Sequence, residues 1–139
     1  MMTGNIPQRA NIVTVFGPIS SKEDNLFRQY KQEGKRTFFA GDITIYFYFQ
    51  QYLEMLTSPE ADFFDNRNEH VDDETHVAIK KKLAENDFDF FAPHIVRIDH
   101  MGHAHSLISE QIPRAIEDVE QLIFGIIDAI DDDTLLILG

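Results

Sequence analysis

The clearest pattern of apolar and polar positions lies near the C-terminus, where apolar residues recur every three or four positions. This spacing places them on one face of a helix. The stripe consists of Ile112, Ile116, Val119, Ile123, Ile126 and Ile130. The acidic run at residues 131–133 follows almost directly and is predicted to end the helix at a solvated corner. A last apolar stretch, residues 134–138, is predicted to be a strand.

Two earlier helices are predicted from the residues at their ends. The first spans residues 20–34, because Ser20 and Glu23 have the spacing of a capping box and Gly34 suits a left-handed C-terminal cap. The second spans residues 72–86, where acidic residues complement the positive N-terminal end of a helix. Two segments are predicted to be irregular: residues 3–18 and 59–67.

Short apolar runs between the helices predict strands at residues 36–40 and 90–98. Pro93 interrupts the second run, which favours a place near a sheet edge or at a strand start. The aromatic run at residues 46–49 fits either a strand or a helix. Helix and strand thus alternate three times, an order typical of an α/β domain with a mostly parallel sheet flanked by helices.

Composition limits the class of partner. The 139 residues suit one domain, and 43% hydrophobic with 26% charged residues is ordinary for a globular protein. The net charge of -12 disfavours a nucleic-acid surface, which needs clustered Lys and Arg. It also disfavours docking on an anionic membrane. No nucleic-acid partner is therefore expected.

The absence of cysteine narrows the metal chemistry. Disulfides and cysteine-based zinc sites are excluded, so His and carboxylate side chains remain as the strong metal ligands. The opening residues show no signal peptide. The longest apolar stretch, residues 43–49, is far shorter than the ~18 residues of a membrane span. These residues alone place the chain neither in nor on a membrane.

Two segments follow predicted strands, where sites of parallel sheets collect. One is Gly41-Asp42, in which Asp42 is either a turn residue or a site neighbour. The other is residues 99–105, which contains Asp99 and three histidines: His100, His103 and His105. Carboxylate oxygen and imidazole nitrogen both bind zinc at roughly 2.0–2.2 Å. Asp99 and His103 can converge on one ion if this segment folds back as a turn, which Gly102 would ease.

A simpler interpretation stands beside this one. A His-rich loop is often only solvated, and two ligands are fewer than the three that hold a catalytic zinc. His94, inside the apolar run, is interpreted as a hydrogen-bonded structural histidine. The chain has no glycine-rich phosphate loop, serine nucleophile elbow or cysteine nucleophile. From the residues alone, the prediction is an acidic α/β domain with a candidate metal-binding loop.

The segment Asp99-His100-Met101-Gly102-His103 resembles the Asp-His-x-Gly-His motif of GPI ethanolamine phosphate transferases, most closely the type acting on the third mannose. In that family a His precedes the motif by five residues, where His94 stands. Residues 34–42 are similar to the strand that ends in the family's Gly-Asp-Asp-Thr-Trp. Residues 131–139 are similar to the strand that leads into its Gly-Asp-His-Gly.

The resemblance implies an alkaline-phosphatase-like catalytic domain with two zinc ions around a nucleophilic Thr or Ser. Asp99 and His103 would be ligands of one zinc, with Asp42, His100 and His105 as site neighbours. The implied reaction moves phosphoethanolamine from phosphatidylethanolamine to a mannose of the GPI precursor, in GPI-anchor biosynthesis. The implied place is the lumenal side of the endoplasmic reticulum membrane, and a membrane helper subunit is left open.

The departures from the family predict a partial domain. The family's nucleophile would fall upstream of Met1, its second metal motif after Gly139, and its membrane spans outside the chain. Residues 1–139 are therefore expected to be an internal fragment without a catalytic nucleophile, inactive by itself. Ile43 replaces the second Asp of Gly-Asp-Asp-Thr, and Arg97 stands where the family has Gly.

Two alternatives remain. One is a catalytically dead module that binds metal or a partner, and the other is a soluble phosphodiesterase or phosphomutase of the same superfamily. The two family motifs occur together and in order, which favours the transferase.

Overall fold

The computed structural model describes residues 24–56, 69–105 and 109–139. Within these ranges, five helices and three short strands follow one another: α1 (Leu26–Gln32), β1 (Thr37–Ala40), α2 (Ile43–Phe49), β2 (Glu54–Met55), α3 (Glu69–Glu85), β3 (Phe90–Pro93), α4 (Arg97–Ala104) and α5 (Gln111–Ala129). The predicted start of the first helix at Ser20 and the predicted irregular segments 3–18 and 59–67 lie outside the described residues.

The strands form a parallel sheet in the order β2-β1-β3. Along the central strand, Phe38 pairs with Glu54 on one side and with Phe91 on the other. All four residues of β1 are buried, as expected for a central parallel strand covered by helices on both faces. The predicted α/β fold with a parallel sheet flanked by helices is confirmed.

The apolar core lies on one face of β1. Phe27 of α1, Phe39 of β1, Phe49 of α2 and Leu53 form a buried cluster. The ring of Phe27 lies 4.9 Å from that of Phe49, between centroids. Residues 46–49 belong to helix α2. The helical period places Phe49 in this cluster, whereas Phe47 is exposed. The open choice between strand and helix is thereby resolved.

The two ends of α1 show which residues cap this helix. Asn25 is extended and its side chain accepts a hydrogen bond from the Arg28 backbone N–H at 2.9 Å, so the helix begins at Leu26, later than predicted. Gly34 adopts φ +70°, the left-handed conformation expected after a helix end. For α3, Asn86 takes the same place with φ 46°.

The predicted strand at residues 90–98 is wrong in its second half. β3 ends at Pro93, whose missing N–H cannot extend a ladder, and the chain turns into helix α4 from Arg97. The predicted loop at residues 99–105 is therefore mostly helical. Gly102 lies inside this helix with open space around it, so it does not ease a turn as expected.

The predicted C-terminal strand is also wrong. Residues 134–138 have no regular secondary structure and belong to no sheet, since no strand in the described ranges pairs with them. Helix α5 is confirmed, although Ile116 of its predicted stripe is exposed while Ala115 and Leu122 are buried. Among the described helices, none is both long and apolar enough to cross a bilayer.

Candidate functional site

The carboxyl ends of β1 and β3 meet at one edge of the sheet and bring the two candidate segments together. Gly41 and Asp42 follow β1, and His94 follows β3. The His94 backbone N–H donates to the carbonyl of Ala40 at 2.8 Å. Helix α4 begins three residues later, so its first turn lies at the same edge.

Gly41 is required where these segments cross. Its φ of +142° is a conformation that side chains other than glycine rarely adopt. A Cβ built there would overlap the carbonyl oxygen of His94 and lie 2.9 Å from the His94 Cβ. The absence of a side chain at Gly41 therefore allows the two strand ends to approach.

Asp99 and His103 lie on successive turns of α4, four residues apart. The Oδ1 atom of Asp99 is 3.6 Å from Nε2 of His103. Both side chains are about two-thirds solvent-exposed, at 63% and 64%. The two side chains lie close together, and a helix rather than a folded-back loop brings them there.

The pair fits two positions of a metal site. Two ligands of a tetrahedral zinc stand roughly 3.3 Å apart, given bond lengths of about 2.0–2.1 Å. The observed 3.6 Å is close to that separation, and the donors are a carboxylate oxygen and an imidazole nitrogen. No group of three or more His, Asp or Glu side chains able to hold a metal occurs in the described part of the chain. The spacing of Asp99 and His103 thus suits two of the three protein ligands of an ordinary catalytic zinc.

His94, between β3 and α4, is partly buried. Burial lowers the pKa of His94 below its ordinary value, although Asp42, Asp72 and Asp99 act in the opposite direction. Its imidazole is therefore neutral at neutral pH. Within the described residues its buried Nδ1 has no hydrogen-bond partner, so the interpretation of His94 as a hydrogen-bonded structural residue is not supported at that atom.

The other predicted neighbours fall into two groups. Asp42 is buried at the start of α2, and His100 is half-buried on α4, and both act electrostatically on His94. His105 lies at the opposite end of α4, where its backbone N–H donates to the carbonyl of Met101 at 3.0 Å. Asp42 and His100 are accordingly close to the centre of the site, and His105 is at its margin.

Comparison with known proteins decides the family. The sequence-family model of the metalloenzyme superfamily matches residues 25–139, from the N-cap of α1 to the end of the chain. The chain belongs to the metalloenzyme superfamily. No solved structure matches it.

Curated relatives add a second finding. The chain is 27% identical over 139 residues to GPI ethanolamine phosphate transferase 3 of Schizosaccharomyces pombe, covering 99% of this chain and 15% of the relative. It is 25% identical over 143 residues to the human GPI ethanolamine phosphate transferase 3, catalytic subunit, covering 100% of this chain and 13% of the relative. For the Saccharomyces cerevisiae transferase 3, the identity is 29% over 145 residues, with 99% and 14% covered. The resemblance to GPI ethanolamine phosphate transferases is confirmed, and the chain spans about one-seventh of these relatives.

One residue next to the candidate site was not predicted from the sequence. Asp72 of α3 is only 1% exposed, and its Oδ1 accepts a hydrogen bond from the Val96 backbone N–H at 3.2 Å. Burial raises the pKa of its carboxyl above the ordinary value, against the opposing effect of this hydrogen bond. The buried face of α3 contains Asp72, Thr75, Ile79 and Lys82, and three of these four are polar. A search for apolar periodicity cannot find such a face.

Arg97, the departure from the family pattern, has an acidic partner. Its guanidinium Nη2 lies 2.9 Å from Oδ2 of Asp118, which joins α4 to α5. The positive charge is therefore balanced by Asp118. Since Asp42, Asp72 and Asp99 all act on His94, negative charge dominates this edge of the sheet, and it favours a divalent cation.

Proposed function

We propose that this chain forms part of the catalytic domain of an enzyme that transfers phosphoethanolamine from phosphatidylethanolamine to a mannose of the GPI-anchor precursor. Membership of the metalloenzyme superfamily and the names of the curated relatives support the reaction class. The observation that carries the proposal is the Asp99–His103 pair, 3.6 Å apart at the carboxyl edge of a parallel sheet. The proposed setting is the lumenal face of the endoplasmic reticulum membrane, as the resemblance to GPI ethanolamine phosphate transferases implies.

Asp99 and His103 are proposed to hold zinc. When bound, zinc supplies Lewis-acid polarisation of a phosphoryl group and favours the deprotonated form of an oxygen nucleophile. The exposed sides of both residues leave room for a phosphate diester to approach from solvent. His94, kept neutral by burial, adds no positive charge next to the cation.

The proposal assigns the remaining catalytic groups to sequence outside residues 1–139. These groups are a nucleophilic Thr and the ligands of a second zinc ion. Binding of the phosphate by a complete pair of ions is not expected from Asp99 and His103 alone. The isolated chain is accordingly proposed to bind zinc weakly and to be inactive.

A complementation experiment tests the proposed function. The gene that carries this segment, with its natural flanking sequence, is expressed in Saccharomyces cerevisiae depleted of its own GPI ethanolamine phosphate transferase 3. Mass spectrometry then measures the fraction of GPI precursors that lack a phosphoethanolamine. We expect the wild-type gene to restore the modification. Asp99→Asn and His103→Ala are expected to lower it by at least about a hundredfold, because even outer-shell changes at metal sites cost 10–100-fold.

A matched control and two outcomes decide the test. Glu117→Gln changes an exposed acid on α5 and is expected to behave as wild type. Restoration by Asp99→Asn and His103→Ala at the wild-type level would refute the proposed site. Failure of the wild-type gene to restore, together with zinc binding by the chain, would favour the alternative of a metal-binding module without activity.

A further inference from the structure

Helix α4, which carries both candidate metal ligands, has no cap from its own sequence. Its N-cap residue is Val96, which has no side-chain oxygen and adopts a helical backbone conformation. The first N–H groups of a helix lack acceptors within the helix and must find them elsewhere. An acceptor from a distant part of the chain is therefore needed at this end.

Asp72 supplies that acceptor from α3, 24 residues earlier in the sequence. Its Oδ1 accepts from the Val96 N–H at 3.2 Å. Its negative charge also complements the positive end of the α4 dipole. With only 1% of Asp72 exposed, water does not replace this bond.

The capped end of α4 is also the end that carries the first candidate metal ligand. Asp99 lies in the first turn of α4, three residues after Val96, and His103 lies one turn further on. Fraying of the first turn would therefore move Asp99 away from His103, which lies in the last turn of the same helix. The ion pair of Arg97 with Asp118 involves a side chain and leaves the backbone of the first turn unfixed.

We propose that Asp72 is a positioning residue of the metal site: it caps α4 from α3 and so holds Asp99 in register with His103. This inference rests on the proposed function, because it assigns a role toward zinc at that pair. Asp72 does not itself contact the ion. A purely structural role in the core, beside the buried Thr75 and Ile79, is the competing explanation.

The test uses the full 139-residue chain with two variants of Asp72 and one control. Asp72→Ala removes the acceptor, and Asp72→Asn keeps an oxygen at the same place without the charge. Asp73→Asn makes the same charge change at the exposed neighbouring residue. Hydrogen exchange followed by mass spectrometry measures the backbone amides of α4 against those of α5, and calorimetry measures the affinity for zinc.

The capping account predicts effects confined to α4 and its ligands. For Asp72→Ala, the α4 amides exchange about tenfold faster relative to α5, and zinc affinity falls about tenfold, as expected for a lost cap and a displaced ligand. Asp72→Asn gives smaller changes of about threefold in both, because a neutral acceptor is roughly half as strong as a charged one. Asp73→Asn leaves both unchanged. If Asp72→Ala does not fold, the comparison of Asp72→Asn with Asp73→Asn carries the test.

Three results would overturn the proposal. Equal acceleration of exchange in α4 and α5 would show a general loss of stability instead of capping. Faster exchange in α4 with unchanged zinc affinity would show a cap that does not position the ligands. Absence of zinc binding by the wild-type chain would refute the proposed metal site together with this role, whereas zinc binding that is indifferent to Asp72 would refute this role alone.

Discussion

The two faces of strand β1 are filled in different ways. Phe39 points to the face covered by α1 and α2, where it joins Phe27 and Phe49 in an aromatic cluster. Phe38, the preceding residue, points to the opposite face, where the ammonium of Lys82 lies 3.9 Å from the centre of its ring. Burial of apolar side chains stabilises one face of β1, and polar groups with hydrogen-bond or ion-pair partners stabilise the other.

The difference has a functional consequence. The apolar face contains no titratable group in its buried cluster. The polar face is formed by α3, whose buried Asp72 bonds to the first turn of the helix that carries Asp99 and His103. Hydrophobic packing therefore stabilises one side of the sheet, while the candidate metal site is assembled through directional bonds on the other.

The largest expected effect is at the centre of the aromatic cluster. Phe27→Ala removes a fully buried ring and is expected to lower the free energy of unfolding by about 3–5 kcal/mol. Phe124→Ala removes an equal ring that is 58% exposed on α5, and is expected to change stability by less than about 0.5 kcal/mol. Urea denaturation followed by circular dichroism measures both. Similar costs for the two variants would contradict the assignment of the core to this face.

The second effect concerns the crossing of the strand ends. Gly41→Ala is expected to cost about 2–4 kcal/mol, because an unfavourable φ and an overlap with the backbone of His94 both act. Gly34→Ala also has positive φ but open space around it, so only about 1–2 kcal/mol is expected. The same denaturation experiment measures the difference. If Gly34→Ala proves the more costly, the close approach at Gly41 is not a constraint.

The third effect separates charge from packing on the polar face. Lys82 bonds to Asp87 at 2.7 Å and to Glu85 at 3.0 Å, and its ammonium lies over the ring of Phe38. Burial opposes its charged form, but the hydrogen bonds with Asp87 and Glu85 outweigh this, and the pKa of Lys82 is raised. Lys82→Ala is expected to cost about 1–2 kcal/mol, since both packing and bonds are lost.

Lys82→Met is the matched variant for this position. It keeps an unbranched apolar side chain next to Phe38 without the charge, and the freed carboxylates of Asp87 and Glu85 remain partly exposed. A cost below about 1 kcal/mol is expected, because water solvates the freed, partly exposed carboxylates and ion pairs with such groups contribute little. A cost for Lys82→Met equal to that of Lys82→Ala would show that the charge itself stabilises this face.

The smallest effect is a dependence on pH. Burial lowers the pKa of His94 in the folded state, so the unfolded chain binds its proton more tightly. The His94 contribution to stability is therefore complete above about pH 6.5 and declines as the pH falls toward the lower folded-state pKa. In His94→Asn this decline is expected to disappear. Unfolding curves collected from pH 7.5 to 5 measure it, and parallel profiles for the two proteins would contradict the burial of His94.

The difference between apolar packing and directional bonds also explains which features could be predicted from the sequence. The order of helices and strands followed from apolar runs and end signals such as Gly34, because these are local. Helix α4 was predicted as strand and loop, since its cap, Asp72, lies 24 residues away and no local pattern reports it. Residues 134–138 were predicted as a strand from their composition, yet a strand also needs a neighbour to pair with.

The candidate site was predicted in part for the same reason. Asp99 and His103 were predicted from their residue types and their four-residue spacing. Either a helix or a tight turn brings two residues at this spacing together. The burial of Asp72 was not found, because a polar residue on a buried face looks the same in sequence as one on a solvated face. Its role depends on which backbone N–H groups it meets in the folded chain.

Calorimetric titration of the chain with zinc tests the central claim, that the polar side of the sheet holds a metal at Asp99 and His103. The account predicts weak binding, with an affinity at least about tenfold lower in His103→Ala and in Asp99→Asn. His105→Ala, at the far end of α4, is predicted to bind as the wild type does. Equal zinc affinity in the wild type, His103→Ala and Asp99→Asn would contradict the claim.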